Sequence, residues 1–291
     1  MNLPKKKKFD GKIEISPRKI YIILVLVVSL AVILRLYGHS PKEPAGEYGK
    51  IGNADVTESS DAFGKDLSGG GEKKGHDSTE SASDDILSQV PDYSEVNRPA
   101  YALNGNKPYF TEEDYINAES MYIELSELDY LGRCGVCTAS LGQDTLAEGE
   151  RDFDMSDVRP SGWRQERYPG IIDEEYHSVL YNRCHLIMYA ISGLTSDERN
   201  LVTGTVYMNN DGMLPWEKAV QNYLIRKAGP GERVLYRATP VFKGSELVCR
   251  GIHIEAADVK TRGEELHINM FCYNVQPGIG IDYFSGRSWA E

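Results

Sequence analysis

Apolar residues first gather in one uninterrupted block. Ile20 to Leu34 reads IYIILVLVVSLAVIL and carries no charge. With Arg35 turned to the interface and Tyr37 as outer anchor, the block makes 18 helical residues, roughly 27 Å, close to the hydrocarbon thickness of a bilayer. Lys5, Lys6, Lys7, Lys8, Lys12, Arg18 and Lys19 precede it. That asymmetry predicts a cytoplasmic basic segment over 1–19, a transmembrane signal anchor over 20–37 and everything after it outside the cell. A signal peptide has the same basic-then-apolar order. The stretch LRLYGHS offers no small-x-small cleavage site, so secretion after cleavage is the alternative expectation. Residues 38–90 are rich in Gly, Ser, Asp, Glu and Lys, and that composition predicts a disordered linker. Residues 91–291 have the mixed apolar and polar pattern of a folded domain, long enough to bury a sizeable core.

Within that domain the periodicity alternates between strand and helix. Tyr101 to Phe110 reads as an extended lead-in, and the run TEED from Thr111 is a helix start with an acidic first turn. Ser178–Leu186 and Asn200–Tyr207 suit strands, the second being rich in β-branched residues. Met213–Lys227 has the clearest helical pattern: Pro215 in its first turn, an apolar stripe of Trp216, Val220, Tyr223 and Leu224, and Gly229 past its end. Arg233–Phe242, Leu247–Ile254 and Leu266–Val275 then predict three strands separated by Lys243-Gly244-Ser245 and Arg262-Gly263. A strand–strand–helix unit followed by antiparallel strands makes the fold class α+β, with a central antiparallel sheet.

Charge and cysteines narrow the picture. The chain has a formal net charge of −12. Residues 1–90 balance 13 basic against 13 acidic residues, so the deficit lies wholly in 91–291. A tight nonspecific nucleic-acid binder shows a basic footprint instead. Transient contact with phosphate beside a bound cation needs no such footprint, and Arg159, Arg164, Arg167 and Arg183 form a short basic strip. Five cysteines are too few for a disulfide scaffold. Cys134 and Cys137 have C-x-x-C spacing, but no second such pair or His pair completes a zinc site. Packed cysteines or a single disulfide is the expectation. Cys184 and His185 are adjacent in a strand and project to opposite faces, which rules against a Cys–His nucleophile.

Four polar positions surround the strand–strand–helix unit: Arg183 and His185, Asn209, and Glu217. Singly, each has an ordinary structural explanation, such as a turn for Asn209 or the helix dipole for Glu217. Their order along the unit is what carries chemistry. An imidazole, an amide and a carboxylate in that order are a more specific set than any one of them alone.

The stretches YNRCHLIMYAISG (181–193), NLVTGTVYMNNDGMLPWE (200–217), VLYRATPVF (234–242) and YNVQPGIGIDYFSG (273–286), with LGRCGV (131–136) and PSGW (160–163), carry a family likeness. Residues 91–291 resemble the DNA/RNA non-specific endonucleases of the ββα-metal (His-Me finger) superfamily, in the branch of surface and secreted nucleases from streptococci and clostridia. The resemblance implies that His185 is the general base and Asn209 the ligand of a divalent metal, Mg²⁺ or alternatively Mn²⁺. It implies that Asn200 supports the site, that Glu217 helps hold the hydrated metal and that Arg183 contacts phosphate. DNA and RNA are the implied substrates, cut to 5′-phosphate ends. The family signature Asp-Arg-Gly-His reads Asn182-Arg183-Cys184-His185 here, so a carboxylate is lost at 182 and bulk is gained at 184. A surface DNA-binding module with the same fold but no chemistry is the alternative.

Overall fold

The computed structural model describes residues 75–94, 99–149 and 154–291. The expected basic segment, the expected anchor over 20–37 and most of the expected linker lie outside these residues. Among the described residues, no helix is long and apolar enough to cross a membrane. The stretch expected to be linker up to residue 90 is not all irregular: helix α1 spans Gly75–Gln89. Its C-terminal end brings Ile86, Leu87 and Val90 against Leu103, Val241, Phe271 and Tyr273. Three apolar residues in a polar run look negligible in sequence, yet they suffice once a sheet offers a complementary apolar face.

Strands β1 (Ala100–Ala102), β2 (Tyr122–Leu125), β3 (Cys137–Leu141), β6 (Val234–Val241), β7 (Gly251–Asp258) and β8 (His267–Tyr273) form one antiparallel sheet in the order β1-β8-β7-β6-β3-β2. The α+β expectation with a central antiparallel sheet therefore holds. Strands β6 and β8 match the expected positions, whereas β7 is shifted four residues along the chain, to Gly251–Asp258 from the expected Leu247–Ile254. Leu247 and Val248 are instead held at the backbone by the Tyr283 carbonyl. Strands β2 and β3 were not expected, because each is short and only partly alternating.

The period of two sorts residues between the faces of this sheet. Val234, Tyr236, Ala238, Ile252, Ile254, Ala256, Ile268, Met270 and Cys272 belong to the main core. Against that core pack Cys184, Val202 and Met208 from the strand–strand–helix unit and Val220, Tyr223 and Leu224 from its helix. The other face holds Leu235 and Ala257 under helix α2 (Glu112–Asn117). Thr111 caps α2 through a reciprocal hydrogen-bonded box with Asp114, as the TEED pattern required.

The strand–strand–helix unit comprises a ribbon of β4 (Tyr181–His185) and β5 (Leu201–Thr205) and a helical segment behind it. Between the two strands, the excursion 186–200 carries the short helix α3 (Tyr189–Ser192). Gly212 and Pro215, both poor helix formers, fall between Asn209 and Glu217. The chain is nevertheless helical throughout: a π-wound turn over Met208–Met213 runs directly into α4, Leu214–Arg226. The wider turn closes with the Leu214 N–H on the Asn209 carbonyl and places Pro215 in the first α-turn, where its missing N–H is not needed.

Candidate active site

Each part of the site is aimed by backbone that the sheet holds in place. His185 ends β4 opposite Leu201. The excursion that follows is closed at its neck by Asn200, which is fully buried. The Leu186 N–H donates to the Asn200 carbonyl at 2.9 Å, the Ile187 N–H to Asn200 Oδ1 at 2.9 Å, and Asn200 Nδ2 to the Ile187 carbonyl at 3.1 Å. Tyr236 on β6 adds its hydroxyl to the Leu186 carbonyl at 3.1 Å. Within the same excursion, the Thr195 carbonyl oxygen lies 2.7 Å from His185 Nε2. A carbonyl can only accept, so the proton of the neutral ring sits on Nε2 and the lone pair on Nδ1.

Behind the ribbon, Asn209 lies in the π-wound turn. Its Nδ2 donates to Asn210 Oδ1 at 2.8 Å, and its own Oδ1 accepts no hydrogen bond from a described residue. Glu217 points inward from the first turn of α4, only 6% exposed. No described residue hydrogen-bonds its carboxylate, and burial pushes its pKa from the ordinary 4.5 up to about 8, with Lys218 the only counteracting charge. It lies within electrostatic reach of Cys184, Cys272 and Tyr236. Cys184, one residue before His185, faces this side and is fully buried, so it diverges from the imidazole and no Cys–His pair forms.

No described residue donates a hydrogen bond to the Glu217 carboxylate or to Asn209 Oδ1, and both are oxygen ligands of the kind a hard, largely hydrated cation takes. Among the described residues, no group of three His, Cys, Asp or Glu side chains converges as a protein-made cage would. The residues fit a divalent cation held by few protein atoms.

Arg183 lies flat on Trp163, with Cζ 4.3 Å from the ring centre. Its Nε donates to the Val158 carbonyl at 2.7 Å and its Nη2 to the Ser156 carbonyl at 2.9 Å. The resemblance implied phosphate contact for it; what the structure shows is a tie to the 156–158 segment. Of the expected basic strip, Arg159 lies within electrostatic reach of Arg183. Arg164 reaches the Ser285 carbonyl and Arg167 the His177 carbonyl. The cysteine in place of the family's glycine at 184 is accommodated by Gly204 on the paired strand, where a Cβ would fall 2.5 Å from Cys184 Sγ.

Two supporting residues were missed. Asn274, fully buried, accepts from the Thr205 N–H and donates to the Thr203 and Cys249 carbonyls, pinning β5 to the main sheet. Gln276 accepts from the Tyr207 N–H at the entrance to the π-wound turn. The one available signal was a pair of amides at i and i+2 just after an apolar strand. All five cysteines are free and buried, so the C-x-x-C pair is packed rather than bridged. The Cys134 thiol donates to the Glu198 and Leu201 carbonyls, and the Cys137 thiol to the Arg199 carbonyl.

A two-stranded antiparallel ribbon followed by a helix is the ββα-metal arrangement, with His185 on the ribbon and Asn209 and Glu217 on the helical segment. Residues 114–260, just over half of the chain, match the DNA/RNA non-specific endonuclease family, and the chain belongs to that family. Two structures of NucA from Streptococcus agalactiae are similar to it. The form with magnesium bound is 23% identical, covers 70% of this chain and 92% of its own, and has a TM-score of 0.57. The metal-free form is 22% identical, with 75% and 98% covered and a TM-score of 0.58. The Sda1 nuclease with a bound zinc ion is 22% identical, with 69% and 100% covered and a TM-score of 0.55. At these identities the likeness is one of fold.

Proposed function

We propose that this protein is a metal-dependent, sugar-nonspecific endonuclease that hydrolyses DNA and RNA to 5′-phosphate ends, with His185 as general base. One observation carries the reading: the His185 Nε2 to Thr195 carbonyl hydrogen bond, which assigns the lone pair to Nδ1 in a loop clasped by Asn200. Nδ1 takes the proton from the attacking water, and the Thr195 carbonyl steadies the imidazolium that forms. Arg183 places positive charge beside the phosphate while its other donors keep the neighbouring segment closed. Asn209 would hold a Mg²⁺ or Mn²⁺ ion through Oδ1, and Glu217 would hold the ion's water shell. Such an ion, when bound, neutralises the phosphate and stabilises the leaving oxygen.

The reading includes single-pass anchoring through residues 20–37 with the domain outside the cell, supported by the basic-then-apolar order of the N-terminal segment. Secretion after cleavage is the alternative, and extracellular nucleic acid is the substrate in both cases. The test is supercoiled plasmid, and separately RNA, incubated with the purified full chain in Mg²⁺ with and without chelator. Cleavage that stops with chelator and is lost in His185→Ala is the expected result. Intact nucleic acid at every metal tried, with binding retained, would instead make the chain a DNA-binding module.

A further inference from the structure

The C-terminal hairpin of β9 (Ile279–Asp282) and β10 (Arg287–Ala290) has two unlike faces. Ile279 and Ile281 point inward and cluster with Leu180 and Tyr181. The Tyr168 hydroxyl meets Ser288 Oγ at 2.6 Å, and the Tyr181 hydroxyl donates to the Gly286 carbonyl at 3.2 Å. The outward face pairs Trp289 with Gly280 and Arg287 with Asp282. A Cβ on Gly280 would fall 2.5 Å from the indole Nε1, so the ring lies over the bare strand backbone and one of its faces is covered. Trp289 is still 53% exposed, and Phe284 at the hairpin turn is 64% exposed. Arg287 and Trp289 share the outward face, roughly 7 Å apart along the strand. Arg164 reaches the turn through the Ser285 carbonyl at 3.0 Å.

These rings connect to the site already described. Arg183 stacks on Trp163, Trp163 packs on Tyr181 with ring centres 6.5 Å apart, and Tyr181 bonds the hairpin. The hairpin thus sits at the Tyr181 end of β4, while His185 ends the same strand roughly 13 Å away. A rigid exposed indole, an exposed phenyl and nearby guanidinium groups suit bases whose faces are open. Duplex bases stack on one another and offer only their edges, whereas unpaired bases stack on aromatic side chains. Asp282 pairs with Arg287, and Glu246 with Arg250, on the same side, so stacking rather than net charge supplies the affinity.

We propose that the β9–β10 hairpin is a stacking platform for unpaired bases of single-stranded DNA or RNA, holding the strand a few nucleotides from the phosphate presented to His185. The position relative to the phosphate rests on the nuclease reading; the platform does not. The test uses the full chain in chelator with a single-stranded oligonucleotide carrying 2-aminopurine, whose fluorescence reports stacking, and then KM in Mg²⁺ for single-stranded and for duplex substrate. Phe284→Ala and Trp289→Ala should each weaken single-strand binding and raise single-strand KM roughly tenfold, with duplex KM changed less than about twofold. Trp289→Phe should keep most of the binding. Because Trp289 also covers Gly280, Phe284→Ala, at an exposed turn, carries the test if Trp289→Ala does not fold. Unchanged binding in both alanine variants, or equal losses on single and double strands, overturns the platform. A wild type that cuts nothing but loses oligonucleotide binding in these variants overturns the nuclease reading and leaves the platform standing.

Discussion

Replacing Glu217 by glutamine should make the metal-free protein more stable while disabling it. Glu217 is only 6% exposed, no described residue donates to its carboxylate, and burial displaces its pKa from 4.5 to about 8. A raised carboxylate pKa means that between those values the folded state binds the proton more tightly than the unfolded state does. Stability therefore falls as pH rises through that window and is fully restored below it. At pH 7 the window has been crossed by 2.5 units, counted up from the ordinary value of 4.5. At about 1.36 kcal/mol per unit, keeping the group protonated in the folded state at pH 7 costs about 3 kcal/mol. Glutamine keeps the shape and removes the titration. Urea unfolding of the full chain in chelator should show a higher midpoint for Glu217→Gln, by about 1.5 M at pH 7 for a slope of about 2 kcal/mol per molar. The two proteins should converge at pH 4.5. Added Mg²⁺ should narrow the gap at pH 7 by stabilising wild type, because a cation offsets the buried charge. A gap that stays constant from pH 4.5 to 8, or a less stable glutamine variant, would mean that Glu217 carries no such burial penalty.

The other expectations are independent of that one. His185→Ala should lower plasmid cleavage by roughly 10²- to 10⁴-fold with an unchanged circular dichroism spectrum, since the ring is half-buried at a strand end. Asn200→Ala strips partners from the Ile187 N–H and carbonyl, and should cost about 2–4 kcal/mol in denaturant unfolding while lowering turnover. Gly204→Ala pushes a methyl onto Cys184 Sγ and should cost about 1–3 kcal/mol by thermal melting, with partial recovery when Cys184→Ala is added.

Local pattern was enough to read the elements whose signal is repeated along the chain. The helix behind the ribbon was legible from Pro215 and the stripe Val220, Tyr223 and Leu224, and the central strands from runs such as Val234–Val241. The order of His185, Asn209 and Glu217 was legible because one contiguous unit carries all three. Helix α1 and strands β2 and β3 were not, because their few apolar residues gain meaning only against a sheet assembled from distant segments.

Which chemical groups the protein owns, and roughly where the ribbon and its helix lie, follow from neighbours within a few residues. Tertiary structure alone decided the state of those groups. Asn200 closes a loop across 13 positions, Asn274 pins β5 from 69 positions away, and the sheet behind Glu217 removes it from water. A ring tautomer and a displaced carboxylate pKa depend on which carbonyl or apolar wall comes within a few ångströms. That proximity is set by packing between segments far apart in the chain, and no periodicity encodes it.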